Sequence, residues 1–148
     1  MRKITHIVIH CSATPQSASV DSIKKYWKEK MKWNSPGYHY IIEANGNIVQ
    51  LLDERYPSNG VAGHNSKLIN ICYIGGVDPK GKAVDNRTMN QKAALIGTIK
   101  EVKSRFPDAV VVGHRDFSPD LNGNGIIDPW ERIKECPSFD AKTEYSRL

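Results

Sequence analysis

VVVGHRDFSPDLNGNGIIDPWERIKECPSFD, residues 110–140, is the stretch on which the reading of this chain turns. It opens as a β-branched run, Val110, Val111 and Val112, and that run ends in Gly113-His114. It closes on Cys136-Pro137, with Lys134 two residues before the cysteine. A second strand-like run, residues 4–10, ends the same way, in His10. Side chains at strand ends are held rigidly by a sheet whose edge stays open to a ligand. Zinc is bound by neutral imidazole and thiolate, and a catalytic zinc keeps three protein ligands and a vacant fourth position. His10, His114 and Cys136 are therefore the candidate ligands. His6 has the parity of His10, but four strand residues separate them by roughly 13 Å, too far for one ion. Pro137 suits the first position of a helix, which would make Cys136 its N-cap. The positive helix end and Lys134 would then lower the thiol pKa. On spacing alone, packing roles for the same residues stand equally open.

The elements around this stretch point to an α/β chain. Residues 4–10 suit a strand buried on both faces. A helix is expected over residues 19–31, with Val20, Ile23, Tyr26, Trp27 and Met31 on one side and lysines mostly on the other. Asn45-Gly46 between residues 38–44 and 47–52 predicts a two-residue hairpin, both turn positions at positive φ. Residues 53–69 look irregular, and 71–74 read as a short buried strand. Residues 88–106 form the longest predicted helix, opened by a Thr88/Gln91 capping box, with Met89, Ala93, Ile96, Ile99, Val102 and Phe106 at helical spacing. A strand at 109–113 and short helices at 129–134 and from Pro137 onward complete the pattern. Interleaved strands and helices with one hairpin predict a single mixed-sheet α/β domain, residues 1–148.

The chain has 148 residues, 39% of them hydrophobic and 25% charged, ordinary for a globular domain with one core. No apolar run approaches the roughly 20 residues that span a bilayer, so no stable membrane insertion is expected. The apolar patch after Met1-Arg2-Lys3 is too short and interrupted for a signal peptide, which predicts synthesis in the cytoplasm without one. Three cysteines give no disulfide framework, and Cys11 and Cys72 read as buried thiols. The formal charge of +5 favours an anionic partner. No arginine-rich helix or aromatic-basic ladder argues for nucleic acid. A monomer is the expectation.

Five motifs then occur in order: IVIHCSAT from residue 7, GYHYII from 37, ICYIGG from 71, GHRDFSP from 113 and KECPSFD from 134. Together they resemble the zinc N-acetylmuramoyl-L-alanine amidases, the family of phage amidase-type lysozymes and peptidoglycan recognition proteins. The similarity covers nearly the whole chain. It implies a central mixed β-sheet flanked by helices, zinc on His10, His114 and Cys136, assistance from Tyr38 and Lys134, and hydrolysis of the amide joining N-acetylmuramic acid to L-alanine of the stem peptide. Lys134 would stabilise the oxyanion, and the Tyr38 hydroxyl would donate a hydrogen bond or position water. It further implies substrate contact for His64, in the loop VAGHNS, and for Asn70, with peptidoglycan as the partner; a loop-stabilising polar role for both is the open alternative. Some relatives keep the fold and only bind. The presence of Cys136, Tyr38 and Lys134 favours catalysis here. Release or delivery to the wall, as a phage or prophage lysin or a secreted effector, is the corresponding expectation.

One signal is independent of that resemblance. Asp120, Asn122 and Asn124, then Gly125, Asp128 and Glu131, fit the fixed positions of an EF-hand calcium loop, with the Ile126 carbonyl at the seventh. This EF-hand-like insertion at 120–131 would bind structural Ca2+ and pin the segment between His114 and Cys136. An Asn-Gly-rich turn without an ion is the alternative.

Overall fold

Runs with no polar face belong in the middle of a sheet, and two runs here qualify. β1 (His6–Cys11) and β4 (Leu68–Tyr73) lie side by side in parallel, His10 opposite Cys72. The computed structural model, which describes residues 2–118, 121 and 135–148, surrounds them with β2 (Tyr40–Ile42), β3 (Ile48–Gln50) and β5 (Val110–Gly113). The order is β3-β2-β4-β1-β5. Only the β2–β3 pair is antiparallel, so this is the mixed sheet the sequence predicts.

Strand alternation divides the core. Ile7, Ile9, Ile69, Ile71 and Tyr73 face the long helix α2 (Met89–Arg105), packing with Leu95, Ile99 and Val102. Ile41 and Cys72 face α1 (Val20–Glu29) through Ile23 and Trp27. Ser19 caps α1 by accepting the Ser22 N–H. Tyr26 and Met31, expected on the buried side, are exposed. No described helix is long and apolar enough to cross a membrane.

Four local expectations are corrected. The α2 capping box is present, but the buried face carries Gln91, Leu95, Thr98, Ile99 and Val102 rather than Met89, Ala93 and Ile96, all exposed. Apolar periodicity misplaces this face because its two polar members are satisfied internally. The Gln91 amide donates to the Ile42 and Ile74 carbonyls, and the Thr98 hydroxyl to that of Ala94. The hairpin loop has three residues: Glu43 N–H donates to the Asn47 carbonyl and Gly46 N–H to Glu43, with only Gly46 at positive φ, +90°. A turn closed by one left-handed glycine needs no positive φ at Asn45. β4 begins at Leu68, earlier than predicted, because its polar residue Asn70 has partners inside the protein. Residues 136–139 form turns after Pro137, and the helix α3 (Ala141–Glu144) starts later, capped by Asp140. The helix predicted at 129–134, Lys134, and the calcium-loop residues Asp120, Asn122, Asn124, Ile126, Asp128 and Glu131 lie outside the described residues.

Candidate metal centre

Each of the three proposed ligands is fixed by a different device. His10 stands near the end of β1, almost wholly buried. His114 opens a short 3-10 turn (His114–Phe117) directly after β5, where the Gly113 N–H is held by the Asp116 carboxylate at 2.7 Å. Cys136 is anchored by its backbone. Its carbonyl accepts the Arg115 N–H at 2.8 Å, and the next carbonyl, of Pro137, accepts the Tyr73 hydroxyl at 2.6 Å. The Ser138 hydroxyl donates to the Gly76 carbonyl at 2.9 Å. Beyond it, Arg87 lies 3.4 Å over the Phe139 ring and pairs with Asp85 and Glu144, tying this segment to the start of α2.

These supports bring ligand atoms of His10, His114 and Cys136 within 4.8 Å of one another. The two imidazoles meet edge to face with centroids 4.9 Å apart. Tyr38 packs on His10 at 5.0 Å and against Trp27 at 5.4 Å. Burial holds the Tyr38 phenol well above its ordinary pKa, with the Cys72 thiol beside its hydroxyl, so it stays a proton donor. A cleft of about 960 Å³ opens over the cluster, walled by Tyr26, Trp27 and Trp33.

The predicted cause of thiol activation is absent among the described residues. Cys136 caps no helix, and burial pushes its thiol pKa up, with the Cys11 thiol adding to the effect. A divalent ion would reverse that shift, since a coordinating thiol is deprotonated outright. The donor set itself fits zinc. Two imidazoles and one sulfur suit a borderline-soft ion and not the hard, oxygen-seeking Mg2+ or Ca2+.

The other two predicted contacts fall elsewhere. His64 is exposed at the opposite end of β1, its ring tilted against Phe117 with centroids 4.9 Å apart, in a separate hollow shared with His6 and Lys67. Asn70 is wholly buried and takes the Nε2 of His10 at 2.8 Å, which places it behind the cluster rather than against a substrate. Sequence reading missed this role, along with its supports Ser58 and His39. The available signal was one amide inside the apolar run LINICYIGG, since a buried polar group there must find a partner.

Residues 1–138 match the family model described as N-acetylmuramoyl-L-alanine amidase. The endolysin of Enterobacteria phage K11 is 31% identical over 140 residues, 94% of this chain and 83% of that protein. The endolysin of Escherichia phage T7 is 31% identical over 137 residues, 92% and 82% respectively. In fold, the chain is similar to the N-acetylmuramoyl-L-alanine amidase LysC from Clostridium intestinale, with a TM-score of 0.74 at 19% identity, covering 97% of this chain and 83% of that one. A mixed sheet with two histidines and a cysteine gathered at its edge, and a family match running from the first residue through Cys136, together place this chain in the N-acetylmuramoyl-L-alanine amidase family.

Proposed function

We propose that this amidase works on a single zinc ion held by His10, His114 and Cys136, cleaving the bond between N-acetylmuramic acid and L-alanine of the stem peptide. The convergence of three side chains from distant parts of the sequence within 4.8 Å carries the reading. When bound, zinc polarises a scissile carbonyl and makes water nucleophilic near neutral pH. The chain's own residues do the rest. The Tyr38 hydroxyl, protonated at neutral pH like any phenol, donates a hydrogen bond to charge developing on the substrate. Lys134, outside the described residues, is assigned the oxyanion from its place two residues before Cys136. Trp27, Trp33 and Tyr26 supply an apolar wall that keeps water away from one side of the cleft.

Purified protein incubated with peptidoglycan should release stem peptides, and a zinc chelator should stop the release, with added zinc restoring it. A chelator-insensitive release would remove the zinc assignment. Tyr38→Phe should lower kcat about a hundredfold with little change in KM, the usual effect of losing one transition-state donor. A wild-type kcat in that variant would reduce Tyr38 to packing.

By similarity to the phage endolysins, the biological outcome is lysis of the wall after release or delivery to it. The protein added to outer-membrane-permeabilised bacteria should clear the suspension, and an unchanged turbidity would oppose that role. The pattern from Asp120 to Glu131 carries a separate proposal of structural calcium. Millimolar Ca2+ should raise the melting temperature of zinc-loaded protein by a few degrees, on the order of RT ln(1 + [L]/Kd) in stability. No rise in either the zinc-free or the zinc-loaded form would eliminate it.

A further inference from the structure

A cysteine sulfur can hold a metal or join another sulfur, and it uses the same electrons for both. Cys136 has a second thiol within reach.

Cys11 ends β1, and its backbone N–H donates to Cys136 Sγ at 3.1 Å. The same sulfur lies 3.7 Å from the Cys11 carbonyl oxygen. Covalent geometry then keeps the two Cα atoms within about 7 Å of one another, a span that a disulfide can bridge. The side chains agree with the backbone. Strand alternation turns Cys11 away from His10 and onto the α2 side of the sheet, where Cys136 also packs. The Cys11 sulfur lies 3.8 Å from the Ser138 hydroxyl, so it points at the turn that carries Cys136. The two thiols are hydrogen-bonded to each other. Gly76 closes off another side of the Cys11 sulfur, since a Cβ there would lie 2.4 Å from it. Both cysteines line the cleft, which gives a small solute access to them.

The third cysteine is set apart. Cys72 is wholly buried among Ile23, Trp27 and Ile41, on the α1 side of the sheet. Its thiol donates to the Tyr73 carbonyl at 3.3 Å. The sheet itself separates it from the other pair.

We propose that Cys11 and Cys136 form an oxidation site, closed into a bridge by a small-molecule disulfide, and that this bridge and zinc exclude one another. One protein thiolate attacks the S–S bond of the oxidant, forming a mixed disulfide and releasing one small thiol. The other protein sulfur gives up its proton and attacks the mixed disulfide, forming the Cys11–Cys136 bond and releasing the second small thiol. Two electrons and two protons pass from the protein to the oxidant. The bridged sulfur is no longer a thiolate, so the metal would keep only His10 and His114. Reducing conditions leave the site open to the ion, and oxidising conditions close it unless the ion is already there. The exclusion rests on the zinc reading, whereas the bridge stands on the positions of the two cysteines alone.

The test treats reduced, zinc-free protein with oxidised glutathione, then unfolds it, alkylates the remaining thiols and maps them by mass spectrometry. The expected product is an intramolecular Cys11–Cys136 bridge, lighter by two hydrogen atoms, with Cys72 alkylated. It should bind no zinc until dithiothreitol reopens it. Protein loaded with zinc beforehand should keep all three thiols through the same treatment. Cys11→Ser retains the backbone N–H that Cys136 accepts, and it should stop at the mixed disulfide on Cys136. A wild type that forms no bridge, or bridges through Cys72, would overturn the proposal. So would a bridged protein that binds zinc like the reduced one, or a zinc-loaded protein that oxidises as fast as the zinc-free one. Should the serine variant fail to fold, the wild-type map decides. A protein that bridges as expected but binds no zinc when reduced would uphold the bridge and overturn the exclusion together with the zinc assignment.

Discussion

Cys136→Ala is expected to abolish both zinc binding and hydrolysis. Metal activation supplies several kcal/mol of transition-state stabilisation, and at 1.36 kcal/mol per decade its loss lowers the rate by about a thousandfold or more. The stability cost should be much smaller. The sulfur accepts the Cys11 N–H at 3.1 Å, and orphaning that donor costs about 1–3 kcal/mol. The backbone anchors around it, from Arg115, Tyr73 and Ser138, do not use the cysteine side chain. The measurement is zinc content, stem-peptide release and a melting curve on the same preparation. Wild-type turnover in a folded, zinc-free Cys136→Ala protein would end the metal mechanism. A wild type that binds zinc and muramyl peptide but releases nothing would make the chain a binding module of the same fold.

Acid should weaken the fold in a window set by His39. Burial pushes its pKa down to about 4 from an ordinary 6.5, with the Arg2 guanidinium acting in the same direction. The Tyr56 carbonyl, Glu54 and Asp53 act the other way and do not overcome burial. Between those two values the unfolded chain takes up a proton that the folded chain refuses. Stability is therefore full above pH 6.5, falls as the pH drops toward 4, and gains no further loss from this residue below that. The slope is about 1.4 kcal/mol per pH unit, or roughly 2 kcal/mol lost by pH 5. For a chain of this size that is a fall of about 4–8 °C in Tm. Zinc-free protein should be used, so that ligand protonation and metal loss do not add to the slope, and compared with His39→Gln. The variant should start less stable and show a flatter profile from pH 6.5 to 5. Parallel profiles for the two proteins would show that His39 is not the titrating group.

The fold was legible where its signals are local. Thr88 and Gln91 are three residues apart and cap one helix, so their box could be found by eye, and it is there. The β-branched runs ending in His10 and His114 became neighbouring parallel strands. The buried face of α2 was not legible, because Gln91 and Thr98 look like surface residues until their carbonyl partners on other elements and in the preceding helical turn are known. Cys136 does meet the two histidines, but the local device expected for it is missing, since turns rather than a helix follow it.

By itself the sequence determined the fold class, the starts of the two longest described helices, and which three residues have the donor atoms zinc prefers. These follow from side-chain chemistry and from periods of two or three to four residues, which are written along the chain. Only the tertiary structure decided that His64 stands apart and that Asn70 sits behind His10. Those outcomes depend on single hydrogen bonds and stacking contacts across as many as 60 residues of sequence, as between His10 and Asn70. Contacts of that kind have no period, and they exist only once the sheet has brought β1 and β4 together.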